Sequence, residues 1–116
     1  MRRHKNDLAD VSARRLLARR HRLAARIGEV EQVLAGSLVA QTRRCGKPDC
    51  RCAEGEPHGP YAYFSARAQT GGRLRYVPAA LVEVVQRYLR RHEEIDAVLA
   101  EISAINAELL ARRELT

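Results

Sequence analysis

All three cysteines of this 116-residue chain lie within one short segment, as Cys45, Cys50 and Cys52, and His58 follows six positions after the last of them. The spacing C-x4-C-x-C-x5-H can bring the four side chains together only if the chain between them turns tightly. Glycine and proline, which favour turns, are frequent in this segment. Because three thiolates and one imidazole form a closed tetrahedral donor set, the spacing predicts a structural Zn2+ site.

Other roles for the segment stay open at the level of sequence. The three thiols could hold an iron–sulfur cluster, although such clusters usually take four cysteines. They could also be reduced thiols without a metal, and Asp49, water or a partner chain could replace His58 as the fourth ligand. A Cys–His nucleophile pair is the catalytic alternative. We expect no enzyme, because the sequence supplies no orienting group, no glycine-rich phosphate loop and no spaced carboxylates.

The charge of the chain indicates an anionic partner. Lys and Arg number 21 against 14 Asp and Glu, which gives a formal net charge of +7 and a pI of about 10. The excess lies before residue 79, since the remaining segment has more acids than bases. A basic surface of this kind attracts phosphates, and we expect nucleic acid, with DNA favoured. The candidate contacts are basic residues of the first helix and the middle segment: Arg14, Arg15, Arg19, Arg22, Arg26, Arg43, Arg44, Lys47, Arg51, Arg67, Arg73 and Arg75.

Residues 1–36 are predicted to form a basic N-terminal helix after a short frayed start. Asn6, Asp7 or Asp10 could cap it, and Gly36 would end it. Arg20 occupies a core position of the heptad pattern and interrupts it. The apolar positions with heptad spacing are Leu16, Leu23, Ile27, Val30 and Leu34.

Residues 37–78 are predicted to form a zinc knuckle with a β-hairpin. A short strand at 37–44 leads into the knuckle, and residues 61–67 alternate as a strand does. Gln-Thr-Gly-Gly at 69–72 is a turn signal, and residues 73–77 form the returning strand. Tyr61 and Tyr63 would share one face of the hairpin, where they could pack on it or stack on bases.

Residues 79–116 are predicted to form a long helix that begins after Pro78. Its apolar stripe is wide enough to touch two neighbours, which favours pairing with the first helix and self-association, most simply as a homodimer. His92 and Asn106 either fix the register of this interface or lie wet at its edge. The expected fold is therefore mainly α with a small β/zinc insert, in which two long helices (a helical hairpin or coiled coil) flank the knuckle.

No apolar run is long enough for a membrane span, and no signal-peptide pattern follows the basic start. We therefore expect a cytoplasmic protein without a membrane partner. In a reducing compartment, clustered cysteines are better explained by metal than by disulfides.

The segment GSLVAQTRRCGKPDCRCAEGEPHGPYAYF, with the later YVP, resembles a prokaryotic family of small uncharacterised proteins classed as a domain of unknown function. That family has a CGKPxCxC core, an HGPY turn and flanking helices. The resemblance covers residues 36–78 and the general helical character of the second arm, and it implies a metal site at Cys45, Cys50, Cys52 and His58. Members look like companions of mobile elements, which adds weight to DNA as the partner.

Two functions follow as hypotheses. The first is a non-enzymatic zinc-containing nucleic-acid-binding protein, oligomeric through its helices and accessory to a mobile element. The alternative is a coiled-coil protein–protein adaptor whose zinc knuckle docks a protein partner such as a recombinase. Salt-dependent binding to random-sequence duplex DNA distinguishes them, because an adaptor binds it no more tightly than any basic protein of equal charge.

Overall fold

The computed structural model describes residues 7–67 and 73–116. The predicted start at 1–6, with its candidate cap Asn6, and the predicted turn at 69–72 lie outside these residues. The elements in chain order are α1 (Ala13–Ile27), β1 (Gly36–Arg43), β2 (His58–Ala66), β3 (Leu74–Val77) and α2 (Val82–Ala111). They form two compact units, a helical unit up to residue 31 with 93–116, and a sheet unit of residues 32–92.

The prediction of a mainly α fold is wrong. Helices of 15 and 30 residues are combined with an antiparallel sheet whose strands have 8, 9 and 4 residues. The β part is thus a three-stranded sheet and not a small insert, and only α2 is long. The chain is an α+β protein, and the description as two long helices flanking a knuckle does not apply.

Helix α1 is half as long as predicted because its ends are set by other residues. Ser12 caps it, since its Oγ accepts a hydrogen bond from the Arg15 backbone N–H at 3.2 Å. The helix ends at Ile27, where Gly28 takes a φ of 54° in the left-handed region that favours glycine. The heptad spacing continues past this stop, so the exposed Val30 was wrongly placed in the helix.

In the helical unit, α1 packs antiparallel to the C-terminal part of α2. Two polar side chains meet beside the apolar contact, where Arg20 Nη1 donates to Asn106 Oδ1 at 2.8 Å. Because Arg20 interrupts the heptad pattern, this bond explains how both polar residues are accommodated beside the apolar core. The buried core consists of Leu16, Leu23, Val98, Ile105 and Leu109.

Arg112 connects the segment before α1 to the end of α2. Its Nη2 donates to the carbonyl oxygens of Leu8 at 2.8 Å and Ala9 at 3.2 Å, and its Nε bonds Glu108 Oε2 at 2.7 Å. The side chain therefore satisfies backbone groups that no helix pairs.

The sheet unit is built on the strand order β1-β2-β3. The predicted pairing of the strands around 61–67 and 73–77 is confirmed, with Tyr63 opposite Tyr76. The pairing of β1 with β2 was not predicted, and it is the longer of the two, running from Gly36 opposite Ala66 to Arg43 opposite His58. Glycine is required at 36 because a Cβ there would collide with the backbone of β2.

Across residues 7–67 and 73–116, none of the helices is long and apolar enough to cross a bilayer.

Candidate metal centre

The predicted ligands lie where β1 is joined to β2, in the connection 44–57 and at the first residue of β2. Cys45 follows β1 by two positions, and Cys52 lies in a 3-10 turn at Arg51–Ala53. His58 begins β2, opposite Arg43 at the end of β1. The antiparallel pairing therefore brings together the two ends of the ligand segment, and the site closes a long hairpin connection.

The four ligand atoms all lie within 4.8 Å of one another. Cys45 Sγ is 3.6 Å from Cys52 Sγ, and Cys50 Sγ is 3.3 Å from His58 Nε2. With zinc–sulfur bonds of about 2.3 Å, sulfur atoms at two corners of a tetrahedron are about 3.8 Å apart. The spacing matches a tetrahedral donor set, so these four residues are positioned to hold a metal ion.

A backbone N–H favours the thiolate form of Cys45. The Lys47 backbone N–H, followed by the side chains of His58 and the other two cysteines, lowers the pKa of Cys45 to about 6. The Cys45 N–H in turn donates to Cys52 Sγ at 3.3 Å. At neutral pH, Cys45 is therefore the thiolate that a metal ion would meet first.

The pKa of Cys50 is shifted in the opposite direction, upwards. The Cys52 backbone N–H acts to lower the pKa of Cys50, but the neighbouring thiols of Cys45 and Cys52, together with burial, raise it overall. Two thiolates so close repel each other, so the second holds its proton. A bound cation would remove that repulsion and displace the proton.

Arg44 has a structural role that the spacing did not reveal. Its Nη1 donates to the carbonyl oxygen of Cys52 and, at 2.9 Å, to that of Gly55. The guanidinium therefore holds the turn that carries Cys52, and this candidate phosphate contact is occupied within the site. Gly59 follows His58 with a φ of 109°, a conformation that other residues rarely adopt.

All twelve predicted phosphate contacts are exposed, but they divide between the two units. Arg19 bonds Glu101 at 3.2 Å. Four of the five in the helical unit share one side of α1 through the spacing 4, 3, 4, and only Arg14 lies elsewhere on the helix. These four are Arg15, Arg19, Arg22 and Arg26.

The cations of the sheet unit lie on different faces. The Arg43 guanidinium sits over the Tyr63 ring, 5.5 Å from its centroid. Arg67 Nη2 is 3.4 Å from His92 Nδ1. Arg75 is opposite Phe64, on the other face from Tyr76, because successive strand residues alternate. Lys47 and Arg51 are exposed on the connection 44–57, and exposed Arg73 immediately precedes β3.

The sequence did not single out Tyr76, which belongs to an aromatic cluster on the sheet. Its ring lies edge-to-face with Tyr63, at 5.8 Å between centroids, and with Tyr61, at 6.3 Å. The alternation of residues 61–67 predicted that Tyr61 and Tyr63 share a face. Tyr76 joins them through the register of β3 on β2, which places it opposite Tyr63.

A protein family described as Domain of unknown function (DUF6788) matches residues 13–97. The match spans most of the chain, including α1, the sheet and all four ligands, and the chain therefore belongs to this family. No curated protein and no solved structure matches it significantly. The family description names no activity, so prokaryotic origin and an association with mobile elements stay predictions.

Proposed function

We propose that this member of the DUF6788 family is a non-enzymatic, zinc-containing nucleic-acid-binding protein. The observation that carries the proposal is the convergence of Cys45, Cys50, Cys52 and His58 within 4.8 Å at the end of a hairpin. Lys47 and Arg51 are exposed on the same connection, so a metal ion that orders the connection also fixes the positions of these two cations.

Zinc is the ion that this donor set favours. Thiolate ligands select soft or borderline metals, and three sulfurs with one imidazole form a common structural zinc set. A catalytic zinc keeps one position open for water, whereas here four protein side chains can fill all four corners. The donor count therefore supports a structural role and no chemistry at the metal.

Nucleic acid is the polyanion proposed to bind the cations of the sheet unit. Residues 37–78 contain seven Lys and Arg against three acids. A zinc ion with three thiolates and a neutral imidazole carries a net charge of about −1, so this segment stays positive when loaded. Phosphate contacts of this kind give affinity without sequence information and with a strong dependence on salt.

The proposal is tested first by metal analysis, which should find about one zinc per purified chain. Fluorescence anisotropy then measures binding of labelled random-sequence DNA over a range of salt concentrations. The double variant Lys47→Glu with Arg51→Glu should weaken binding about tenfold or more and reduce the salt slope. The control Arg90→Glu with Arg113→Glu changes the net charge equally, at exposed positions outside the hairpin, and should bind much more like wild type. Equal losses in both variants would reduce the binding to generic charge.

A protein–protein adaptor is the second candidate, and exposed leucines on α2 favour it. Leu99 is 49% exposed and Leu110 is 62% exposed, both in the helical unit. Such side chains suit a second copy of this chain or a protein partner such as a recombinase. Light scattering should then give a dimer or a larger oligomer, and Leu99→Gln with Leu110→Gln should shift it to the monomer. A monomeric wild-type protein at micromolar concentration would contradict self-association.

A further inference from the structure

Three of the four tyrosines of this chain share one face of the sheet. Tyr63 is only 7% exposed and lies between the Arg43 guanidinium and the Tyr76 ring. Tyr61 and Tyr76 are 37% and 56% exposed. We call Tyr61, Tyr63 and Tyr76, with Arg43, the tyrosine face. It consists of the packed Tyr63 ring and two more exposed rings, with Tyr76 in edge-to-face contact with both other tyrosines.

The edge-to-face geometry keeps aromatic surface available on this face. The ring planes of Tyr61 and Tyr76 are inclined at 74°, and those of Tyr63 and Tyr76 at 67°. In such pairs, the edge of one ring points at the face of the next, so the rings do not cover each other as stacked rings would. A planar ligand can therefore reach an exposed ring of Tyr61 or Tyr76.

Among the described residues, Arg43 contacts the Tyr63 ring of this face, and Lys47 and Arg51 are exposed on the connection 44–57 that precedes β2. Tyr61 lies three residues after the ligand His58 on β2, or about 10 Å along the strand. Duplex binding typically neutralises about 6–10 phosphates, whereas three cations suit a short stretch of one strand.

We propose that the tyrosine face binds single-stranded nucleic acid by stacking unpaired bases on Tyr61 and Tyr76, while Arg43, Lys47 and Arg51 contact its phosphates. The inference rests on the proposed function and specifies its substrate class. Every base offers a π-face, so recognition is tolerant of sequence. In duplex DNA the base faces are buried in the stack and are not available to a protein surface of this kind.

The test compares labelled oligothymidylate and oligouridylate of about 15 nucleotides with a duplex of the same length. Both single strands should bind at least about tenfold more tightly than the duplex at the same salt concentration. With three phosphates neutralised, the logarithm of affinity should fall with the logarithm of salt concentration at a slope of about −2. The two single-stranded probes differ in the sugar and in the 5-methyl group of the base, so equal affinities would show that neither contributes.

Tyr76→Val should weaken single-strand binding about tenfold, because one stacked ring is lost from a position that tolerates a β-branched residue. Tyr76→Phe keeps the ring and should bind like wild type. Leu81→Ala is the matched control, since it removes an exposed apolar side chain elsewhere and should leave affinity unchanged.

Intrinsic fluorescence gives a direct readout, because the chain has no tryptophan and most of its tyrosines are on this face. Unlabelled oligothymidylate should quench tyrosine emission in wild type and much less in Tyr76→Val. If duplex binds as tightly as single strands and Tyr76→Val changes neither signal, the inference is overturned while the proposed function stands. If no nucleic acid binds, both fall.

Discussion

The helical unit and the sheet unit differ in what holds them together. Five buried apolar side chains form one cluster between α1 and α2. In the described residues of the sheet unit, the buried apolar side chains are Cys52, Tyr63 and Val77, and Cys52 is itself a candidate ligand. Full burial of a large apolar side chain contributes about 1.5–3 kcal/mol, so the sheet unit has much less of this stabilisation.

The difference indicates what a metal ion at this site would do. Units of about 60 residues with small cores usually need disulfides, metals or oligomerisation to remain folded. The sheet unit has a donor set at the end of its longest strand pairing, and the helical unit has none among its described residues. We therefore expect the metal to replace, in the sheet unit, the apolar core that stabilises the helical unit.

Loss of a metal ligand should give the largest effect and should separate the two units. Cys50→Ser is expected to unfold the sheet while the helical unit retains its structure, because metal binding to small zinc modules contributes about 10–16 kcal/mol to folding. Circular dichroism, amide NMR spectra and zinc content measure this. Ser37→Ala, at an exposed serine of β1, is the control. A Cys50→Ser protein with an intact sheet would contradict the comparison.

Lowering the pH should gradually unfold the sheet unit while the helical unit stays folded. The pKa of Cys45 is lowered to about 6 and that of Cys50 is raised, so protons compete with the metal at both sulfurs as pH falls. Zinc affinity should decrease from about pH 8 to about pH 6, and the sheet should be lost with the metal. Competition with a colorimetric chelator at several pH values measures the affinity. An affinity independent of pH would exclude thiolate ligands.

Truncation of the helical core should affect the other unit alone. Leu109 is fully buried, and Leu109→Ala is expected to cost about 2–5 kcal/mol in the free energy of unfolding by urea. The neighbouring Leu110→Ala, at an exposed site, should cost no more than about 0.5 kcal/mol. Zinc content should stay at the wild-type value in both variants. Loss of zinc from Leu109→Ala would mean that the units do not fold independently.

The smallest expected effect concerns the Arg20–Asn106 hydrogen bond. Asn106→Leu leaves the half-buried guanidinium without this acceptor and should cost about 1–3 kcal/mol. Arg20→Met combined with Asn106→Leu should recover part of that loss, because both polar groups are then removed. A double-mutant cycle in urea measures the coupling. Arg19→Gln, at the exposed ion pair with Glu101, is the control and should change stability by less than about 1 kcal/mol. No coupling would show that the bond does not set the helix register.

Tertiary pairing decided several features that local patterns could not determine. The heptad spacing of apolar residues continues beyond Gly28, although the helix ends at Ile27. Such spacing identifies the apolar face of a helix but does not identify the residue at which the helix ends. The wide apolar stripe of α2 did not predict which of its positions would be buried. Val98 is buried, whereas the adjacent Leu99 is half-exposed. No sequence pattern distinguishes Arg44 from the other exposed cations, and its hydrogen bonds to Cys52 and Gly55 are a property of the folded connection.

The sequence by itself determined the candidate metal-ligand set, because the four residues lie so close along the chain that local turns bring their side chains together. It also determined the pairing of β2 with β3, since a turn signal separates two alternating segments. Only the tertiary structure decided the pairing of β1 with β2, the α+β class and the tyrosine face. These depend on contacts between residues distant in sequence, whose register is fixed by packing and hydrogen bonding rather than by spacing.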